Sequence, residues 1–308
     1  GHGRVVHMKV VITGGTGFLG RALAASLASH GHEVVVLSRF AGGTYMNVRH
    51  VRAQVQNGRF DAAGTAEIGT AQAVINLAGA GIADARWTPA RKAVLRESRL
   101  SITRACAAAI SESVTPPAVL ISGSAIGIYG SSLDTTFTEA SAPGTDFLAQ
   151  LCADWEQAAL AVPSRTRVVL LRTGLVIARD GGLLTKLKPP FKMFVGGPAG
   201  DGRHWMSWIH RDDWIGLVEW ALTHDDVKGA LNAVAPAPVT NTDFSKALGQ
   251  ALHRPSLFPV PAFVLRLMFG ELADGAVLAS QKVTPQVALA GGYPFKYSDI
   301  RTGMAAAV

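Results

Sequence analysis

Short, almost continuously apolar runs alternate with longer amphipathic stretches over the first part of the chain. The runs are rich in Val, Ile and Leu, which is typical of strands that are buried on both faces of a sheet. They cover residues 9–13, 34–37, 73–77, 118–122 and 167–171. Helical patterns separate them at residues 18–30 and near residues 88–112 and 145–162. This alternation predicts an α/β fold of the Rossmann type, in which helices cover both faces of a doubly wound parallel sheet.

The pattern becomes less regular towards the carboxyl end. Pro189-Pro190 and several glycines between residues 196 and 202 indicate loops, while helices are predicted over residues 212–222, 242–252 and 263–269 and a strand near residues 230–234. We therefore expect a Rossmann domain over residues 8–180. Residues 181–308 should form mostly a small C-terminal lobe and extension, with some elements returning to the main sheet. Residues 1–7 show no periodicity and are expected to be a tag or a disordered tail.

Composition narrows the cellular setting. The 308 residues are 48% hydrophobic and 17% charged, an ordinary globular balance. Cys106 and Cys152 are the two cysteines and belong to no CxxC pattern, so neither a disulfide framework nor a zinc site is expected. No apolar run approaches the roughly 18 residues of a membrane-spanning helix, and nothing resembles a signal peptide. The sequence thus predicts a cytoplasmic protein that does not associate with membranes.

Charge and histidine content limit the kinds of ligand that this protein is expected to bind. The net charge of +7, from 29 basic and 22 acidic residues, is scattered rather than clustered with aromatic residues as in nucleic-acid-binding proteins. It favours an anionic cofactor or substrate. The nine histidines form no HExxH pattern, and no metal site is predicted.

A glycine-rich segment between the first strand and the first helix carries the clearest chemistry. It reads Thr13, Gly14, Gly15, Thr16, Gly17, Phe18, Leu19 and Gly20, and it satisfies the G-x-G-x-x-G pattern in the required strand–turn–helix context. An early glycine permits the tight turn, Gly17 lets the backbone approach a diphosphate, and Gly20 lets the helix pack closely on the strand. The segment therefore predicts a dinucleotide site at the positive end of a helix dipole.

The end of the second strand indicates which dinucleotide binds. An NAD site places Asp or Glu there, to accept hydrogen bonds from the adenosine ribose. This chain has Ser38 and Arg39 instead, and Glu33 lies at the other end of the strand. Arginine with a neighbouring hydroxyl suits the 2′-phosphate of NADP. NADP is therefore the favoured cofactor and NAD the alternative. The other interpretation of Arg39 is a solvated charge in a loop, with no contact to a cofactor.

Several motifs together resemble a known family. The segments 13–20, 76–79 and 122–130 resemble extended short-chain dehydrogenases/reductases. Further segments are similar to the atypical subgroup called "epimerase family protein", which is sugar-nucleotide-epimerase-like and has a characteristic C-terminal extension; they include Arg86-Trp87-Thr88, Asp154-Trp155-Glu156, Arg172-Thr173-Gly174, Ser207-Trp208-Ile209-His210, Arg254-Pro255 and Gly270-Glu271. The resemblance implies that Leu77, Ala78 and Gly79 line the adenosine side of the cofactor, and that Gly174 and Leu175 pass near the nicotinamide.

The same resemblance identifies candidate catalytic residues and a departure. Ser124 matches the serine that orients the substrate oxygen, its alternative role being a local backbone contact at a strand end. The family's Tyr-x-x-x-Lys would fall at Leu148 and Cys152, neither of which can replace Tyr and Lys in proton transfer. Tyr-based hydride chemistry of the usual kind is therefore not expected. Tyr129 is a substitute acid, although its position in this fold usually packs or lines the substrate pocket.

Other polar and aromatic residues have two interpretations each. Lys92 and Arg99 either face the cofactor or lie on a solvated helix face, and Glu139 is a candidate contact to substrate or cofactor. For His210 and Asp213, a role in packing and helix capping is favoured over a role in catalysis. Core packing is likewise favoured for the tryptophans at positions 205, 208, 214 and 220. The other interpretation is that Trp205 and Trp208 form an aromatic wall for a sugar or planar ring.

Two functions follow. The first is an NADP-dependent oxidoreductase or epimerase-like enzyme acting on a small molecule, for which anionic and sugar-like substrates are the candidates. The alternative is a catalytically inactive protein that binds NADP(H) and reports redox state to a protein partner. Substrate identity, the direction of hydride transfer and oligomeric state are left open by the sequence.

Overall fold

The computed structural model describes residues 7–77, 79 and 82–308. Its strands are β1 Lys9–Thr13, β2 Glu33–Ser38, β3 Gly43–Tyr45, β4 Val48–Arg52, β5 Val55–Gln56, β6 Arg59–Phe60, β7 Ala73–Asn76, β8 Val119–Ala125, β9 Thr136–Phe137, β10 Arg167–Thr173, β11 Leu175–Ile177, β12 Trp205–Met206, β13 Trp208–His210, β14 Gly229–Ala233, β15 Val239–Thr240 and β16 Lys282–Val283. Its helices are α1 Phe18–Ser29, α2 Ala62–Gly69, α3 Pro89–Glu112, α4 Phe147–Ala159, α5 Leu183–Lys192, α6 Arg211–Thr223, α7 Asn241–Leu252, α8 Ala262–Phe269, α9 Gln286–Ala290 and α10 Ile300–Ala307. A 3₁₀ turn spans Ile126–Tyr129, and a π-helical turn spans Ala273–Val277.

One large sheet organises the chain. Among the described residues its strand order is β14-β10-β8-β7-β1-β2-β4-β3, and every pairing is parallel except that of β3 with β4. The order reverses between β1 and β7, which is the position where a doubly wound sheet opens a crevice at the carboxyl ends of its strands. The predicted Rossmann-type fold is therefore confirmed.

Helices cover both faces of this sheet, because alternate strand residues point to opposite sides. Ile12 packs with Leu23 of α1 and with Trp214 and Leu217 of α6 in one buried cluster. The neighbouring Val11 faces the other way; its cluster contains Ile68 of α2, Cys106 and Ile110 of α3, and Ala159 of α4. Burial on both sides explains why the strands are almost continuously apolar.

The second half of the chain builds a smaller core of its own. Ile177, Leu184, Phe191, Trp208, Phe244, Leu248 and Met304 are buried together there. Strand β14, however, pairs with β10 in the main sheet. The division of the chain near residue 180 stays a prediction.

Several elements of the fold differ from the regular pattern of the sequence, among them α2, β3, β4 and α5. Helix α2 and strands β3 and β4 had no predicted counterpart, since they are short and only partly buried. Helix α5 contains Pro189 and Pro190, where the sequence predicts a loop because each proline removes a helical hydrogen bond. Burial of Leu184 and Phe191 on one side of α5 offsets that loss.

Within the described residues, we find no helix whose length and apolar character would let it cross a membrane.

Acid is expected to weaken the attachment of α2 to the sheet through Glu67. Its carboxylate accepts hydrogen bonds from Arg49 at 2.6 and 2.9 Å and lies 2.8 Å from Lys9 Nζ. The Arg49 bonds, supported by Lys9, lower the pKa of Glu67 from 4.5 to about 2. Because the pKa is lower in the folded state, this stabilisation is present above the unfolded pKa and is lost as the pH falls towards 2.

Glu67→Gln should therefore reduce the decline in unfolding free energy between about pH 5 and pH 2 by roughly 2 kcal/mol. Urea unfolding at a series of pH values measures this. An unchanged pH dependence in the variant would contradict the assignment.

Candidate functional site

A cavity of about 970 Å³ lies at the carboxyl ends of β1 and β2. Eight of the predicted cofactor residues line it, namely Thr13, Gly14, Thr16, Gly17, Ser38, Arg39, Leu77 and Gly79. The remaining wall comes from the segments after β2 and β4 and from one face of α3, and includes Phe40, Gln54, Phe60, Val94, Glu97, Ser98 and Ser101. The cavity lies beside the point where the strand order reverses, as a dinucleotide site in this fold requires.

The glycines of the loop have distinct local roles. Gly14 has φ +74°, a conformation that favours glycine. A Cβ at Gly20 would lie 2.2 Å from the Gly14 carbonyl oxygen, so α1 can pack on the loop only with glycine there. Gly17 is the N-cap of α1 and supplies no side-chain cap. The first-turn N–H groups of α1, which have no partner within the helix, therefore remain available for an anion.

The end of β2 presents a cation rather than a carboxylate. Ser38 Oγ accepts a hydrogen bond from the Phe40 amide at 3.2 Å. Arg39 is exposed, with its guanidinium carbon 5.4 Å from the centre of the Phe40 ring, and it forms no ion pair with any residue that the structure describes. Glu33, at the opposite end of the strand, lies 3.6 Å from Arg49. The geometry at this end suits a phosphate on the adenosine ribose.

Several predicted cofactor residues lie outside the wall of this cavity. Gly15 packs under Val36, and the Phe18 ring contacts Gly181 and Arg211. Leu19 lies partly buried against the sheet core. Gly20 supports the loop as described above. Ala78 lies outside the described residues.

Gly174 and Leu175 connect β10 to the smaller lobe. The Gly174 and Leu175 amides donate to Ala233 O at 3.1 Å and Ser207 O at 2.9 Å, respectively. A Cβ at Gly174 would lie 2.6 Å from Ser207 O. These two residues thus join strands of the main sheet to the lobe, on the far side of β1 from Arg39.

A layer of buried polar side chains underlies the cleft. Thr13 Oγ1 donates to Asn76 Oδ1 at 2.6 Å, and Asn76 Nδ2 donates to Thr103 Oγ1 at 2.8 Å. Trp155 Nε1 also donates to Thr103 Oγ1, at 3.1 Å, and its ring leaves no room for a side chain at Gly123. These bonds hold β1, β7, α3 and α4 in one arrangement, which fixes the floor of the cleft.

The two candidate catalytic hydroxyls belong to a second buried network. Ser124 Oγ donates to Glu156 Oε2 at 2.6 Å. Glu156 accepts two further bonds from Arg172, both at 2.9 Å, and Arg172 Nη1 donates to the Tyr129 hydroxyl at 2.9 Å. The Tyr129 hydroxyl in turn donates to Asn232 Oδ1 at 2.6 Å. Ser124, Glu156 and Arg172 are each less than a tenth exposed.

This network changes the expectations for Tyr129 and Glu139. Burial raises the pKa of Tyr129, outweighing the opposing effect of Arg172, so its phenol stays protonated at neutral pH. Glu139 Oε1 accepts the amide hydrogens of Asn232 and Val287 at 3.0 and 3.3 Å. Glu139 therefore joins the loop after β9 to β14 and α9.

The ion pair between Glu156 and Arg172 is the part of this network that the sequence did not predict. Both lie in segments that carry the family resemblance. Their bond, however, joins α4 to β10. A contact of this kind leaves no local spacing signal in a single sequence.

The positions expected for Tyr and Lys are apolar and buried on α4. Leu148 packs in a cluster with Trp87 and Leu95. Cys152 is 2% exposed, and burial raises its pKa to about 12. Neither residue offers a proton acceptor or a cation at neutral pH.

The two basic candidates on α3 have different surroundings. Lys92 forms an ion pair with Glu271 at 2.8 Å and lies over the Phe147 ring. Arg99 is 7% exposed and lies over the Trp155 ring. The solvated helix face that was one option for Arg99 is therefore excluded.

His210, Asp213 and the tryptophans take mainly structural positions. His210 Nδ1 accepts from the Asp212 amide at 3.0 Å and caps α6. Asp213 accepts the hydroxyl of Tyr293 and the amides of Lys296 and Tyr297. Trp208 and Trp214 are fully buried, whereas Trp205 and Trp220 are partly buried. Over the part of the chain that is described, we find no group of three or more His, Cys, Asp or Glu that could hold a metal ion.

Comparison with known proteins agrees with this architecture. The model of the NAD dependent epimerase/dehydratase family matches residues 10–233, and that of a domain of unknown function, DUF1731, matches residues 260–307. An epimerase family protein of Mycobacterium leprae is 38% identical over 292 residues, covering 94% of this chain and 92% of that protein. Mouse epimerase family protein SDR39U1 is 38% identical over 303 residues, covering 96% and 98%.

Similarity extends to a solved structure. The crystal structure of human epimerase family protein SDR39U1 (isoform 2) with NADPH matches with a TM-score of 0.88 and 32% identity. The match covers 97% of this chain and 99% of that chain. As its motifs predict, the chain belongs to the NAD dependent epimerase/dehydratase family.

Proposed function

We propose that this protein binds NADP(H) in the cleft at the carboxyl ends of β1 and β2. The observation that carries the proposal is the pairing of a glycine-rich helix N-terminus with Arg39, an exposed arginine without an ion-pair partner among the described residues, in one cavity. The diphosphate would lie against the backbone of Gly14 to Gly17, and the 2′-phosphate against Arg39 and Ser38. The human relative solved with NADPH supports this choice of dinucleotide.

For the reaction, we propose oxidoreductase or epimerase-like chemistry on a small molecule, with an anionic or sugar-like substrate as the candidate. Family membership supports this class. The cofactor would supply or accept the hydride. Ser124, at the end of β8, and the segment of Gly174 and Leu175 stay the proposed contacts around the reacting end. Free buried thiols at Cys106 and Cys152 support the proposal that the protein works in the reducing cytoplasm.

A panel of carbonyl compounds and sugar nucleotides tests the reaction. Oxidation of NADPH by any member is the expected result. Ser124→Ala should abolish that oxidation while leaving the affinity for NADPH within about twofold, since Ser124 does not line the cavity of Arg39. Turnover that survives the substitution would remove Ser124 from the site.

A second candidate is an inactive NADP(H)-binding redox sensor, and one observation favours it. The hydroxyls of Ser124 and Tyr129 already serve the buried network around Glu156 and Arg172, and α4 carries Leu and Cys where Tyr and Lys would act. NADPH binding without turnover of any substrate in the panel is the result expected for a sensor.

Arg39→Asp is expected to weaken NADPH binding by about 1–3 kcal/mol, or roughly 5- to 150-fold, because a charge-assisted contact to the 2′-phosphate is lost. NADH lacks that phosphate and should be affected less. Isothermal titration calorimetry with both nucleotides measures the difference.

Arg165→Asp is the matched control, since Arg165 is exposed in the turn before β10 and the net charge changes equally. It should leave both affinities within about twofold. Equal losses for NADPH and NADH in Arg39→Asp would exclude Arg39 as the phosphate contact.

A further inference from the structure

Arg99 is a buried cation without an ion-pair partner among the residues that the structure describes. Its side chain is 7% exposed. The hydrogen bond found for its guanidinium in that part of the chain runs from Nη1 to the carbonyl oxygen of Leu95, at 3.1 Å. Nε is buried and has no hydrogen-bond partner there. A guanidinium removed from water in this way is costly unless an anion or several acceptors complete it.

The guanidinium lies directly behind the wall of the proposed cofactor cleft. A Cβ at Gly79 would be 3.2 Å from Arg99 Cζ, and both Gly79 and Ser98, the residue before Arg99, line the cavity. On its other side, Arg99 Cζ is 5.1 Å from the centre of the Trp155 ring on α4. Arg99 therefore lies where α3, α4 and the segment after β7 meet.

Arg99 lies on the opposite side of β1 from Arg39. Arg39, at the end of β2, lies on one side of β1, whereas β7 and β8 lie on the other side. A dinucleotide crosses the sheet at the point where the strand order reverses, so its two halves lie on opposite sides of β1. Gly79, expected at the adenosine side, follows β7, and Trp155 packs against Gly123 in β8. Arg99 lies between these two residues, so it is placed where the adenosine side of the cleft meets the part next to β8.

The same position is next to the place of the missing lysine. Cys152 occupies the position at which the family's motif has Lys, and it is close enough for its charge state and that of Arg99 to influence each other. Burial raises the pKa of Cys152 to about 12, so the thiol contributes no charge of its own. Burial also lowers the pKa of Arg99, as expected of a cation that lacks a counter-charge. The cation in this region thus comes from α3 instead of α4.

We propose that Arg99 binds the nicotinamide half of NADP(H), through the ribose hydroxyls or the adjacent phosphate, and thereby supplies the cation that Lys supplies elsewhere in the family. The inference rests on the proposed function. It makes Arg99 a cofactor-binding residue and assigns no proton transfer to it. Arginine keeps its charge when desolvated, whereas a buried lysine readily loses its proton. Arg99 is therefore suited to hold a ligand and is unsuited to act as an acid or base.

Arg99→Met tests the proposal, because Met keeps the length and apolar stem and removes the charge. Calorimetry should give about 10- to 100-fold weaker binding of NADPH, because one or two charge-assisted hydrogen bonds to the cofactor are lost. Adenosine 2′,5′-bisphosphate carries the adenosine half alone, and its affinity should stay within about twofold. Arg99→Lys should lose less affinity for NADPH than Arg99→Met.

Thermal unfolding of the cofactor-free protein separates a ligand-binding role from a structural one. If the charge is retained for a ligand, Arg99→Met should unfold at the same or a higher temperature than the unsubstituted protein. Arg104→Met is the matched control, since Arg104 is exposed on the same helix, and it should leave both NADPH affinity and unfolding temperature unchanged.

Three results would overturn the proposal: unchanged affinity for NADPH in Arg99→Met, equal weakening of NADPH and adenosine 2′,5′-bisphosphate, or equal losses in the Lys and Met variants. Failure of the proposed function looks different. In that case the unsubstituted protein itself would bind no NADPH.

Discussion

Glu156→Leu is expected to lower the free energy of unfolding by about 3–5 kcal/mol, because it leaves the Arg172 guanidinium buried without its counter-charge. Arg172 is 8% exposed, and its two bonds to Glu156, both at 2.9 Å, are the charge-compensating contacts that the structure describes for it. Its contacts with the Tyr129 hydroxyl and ring supply no counter-charge. A loss of this size is a large share of the total stability of an ordinary domain, about 5–15 kcal/mol. Urea unfolding followed by circular dichroism measures it.

Asp154 provides the control for Glu156. It lies two residues away on the same helix and pairs with Arg96, but both side chains are about half exposed. Asp154→Ala should therefore cost less than about 1 kcal/mol. The double variant Glu156→Leu/Arg172→Met should recover most of the lost stability, since apolar residues of similar volume often replace a buried ion pair at little cost.

A double-mutant cycle on Glu156 and Arg172 gives their coupling free energy directly. If the double variant were no more stable than Glu156→Leu, burial of an unpaired charge would not be the cause. Equal costs for Asp154→Ala and Glu156→Leu would likewise contradict the assignment.

Gly17→Ala is expected to weaken NADPH binding by more than about 100-fold while leaving the fold intact. In the protein alone, a Cβ at Gly17 meets only the Gly14 carbonyl oxygen, at 3.5 Å, which is an ordinary contact. Its φ of −79° suits alanine. The added methyl group would instead occupy space that the diphosphate needs, and would separate it from several N–H donors of α1 that each contribute about 1.5–3 kcal/mol.

Calorimetry with NADPH and urea unfolding of the cofactor-free protein are both needed for this variant. The unfolding free energy should change by less than about 1 kcal/mol, as for other substitutions between glycine and alanine at an N-cap. Binding of NADPH at the original affinity would mean that the diphosphate lies elsewhere.

Gly20→Ala is the complementary variant in the same loop. Its Cβ would lie 2.2 Å from Gly14 O and 2.7 Å from Gly15 Cα. Backbone atoms cannot rotate away as a side chain can, so this substitution should cost stability of about 1–3 kcal/mol or more. The two alanine variants therefore separate the glycine that admits the ligand from the glycine that admits the helix.

The buried network bears on both candidate functions. An enzyme that used Ser124 would draw on a hydroxyl whose hydrogen is already committed to Glu156, at 2.6 Å, so substrate could reach only the oxygen's remaining lone pairs. A sensor would instead use the network as a connection between the cleft and a distant part of the protein. Glu156, Arg172, Tyr129 and Asn232 connect α4 to β10 and β14, and so join the surroundings of the cleft to the far edge of the sheet.

Local patterns in the sequence were sufficient for six of the eight strands of the main sheet and for the glycine-rich loop. Strand β1 was predicted with its observed bounds, and the helix after Gly17 to within one residue. Both succeed because burial on two faces demands a continuous apolar run, and because a tight turn before a helix demands glycine at fixed spacing. The position of Arg39 follows from the same local logic, since it is simply the residue after β2.

Only the tertiary structure decided the state of the polar residues beyond that loop. The sequence left Arg99 with two interpretations, a cofactor contact or a solvated helix face like that of exposed Arg104 on the same helix. The burial of Arg99 results from α4 and Gly79 closing over it. Glu156 and Arg172 form an ion pair, and Tyr129 bonds to Asn232 across 103 residues of chain, because the parallel sheet brings β8, β10 and β14 together at one edge. Spacing along the chain specifies which side of a helix or strand a residue occupies, but burial and partners depend on what packs against that side. The sequence therefore determined the fold and the glycine-rich loop, and the packing of distant elements determined which of the described charges are buried and which of those are paired.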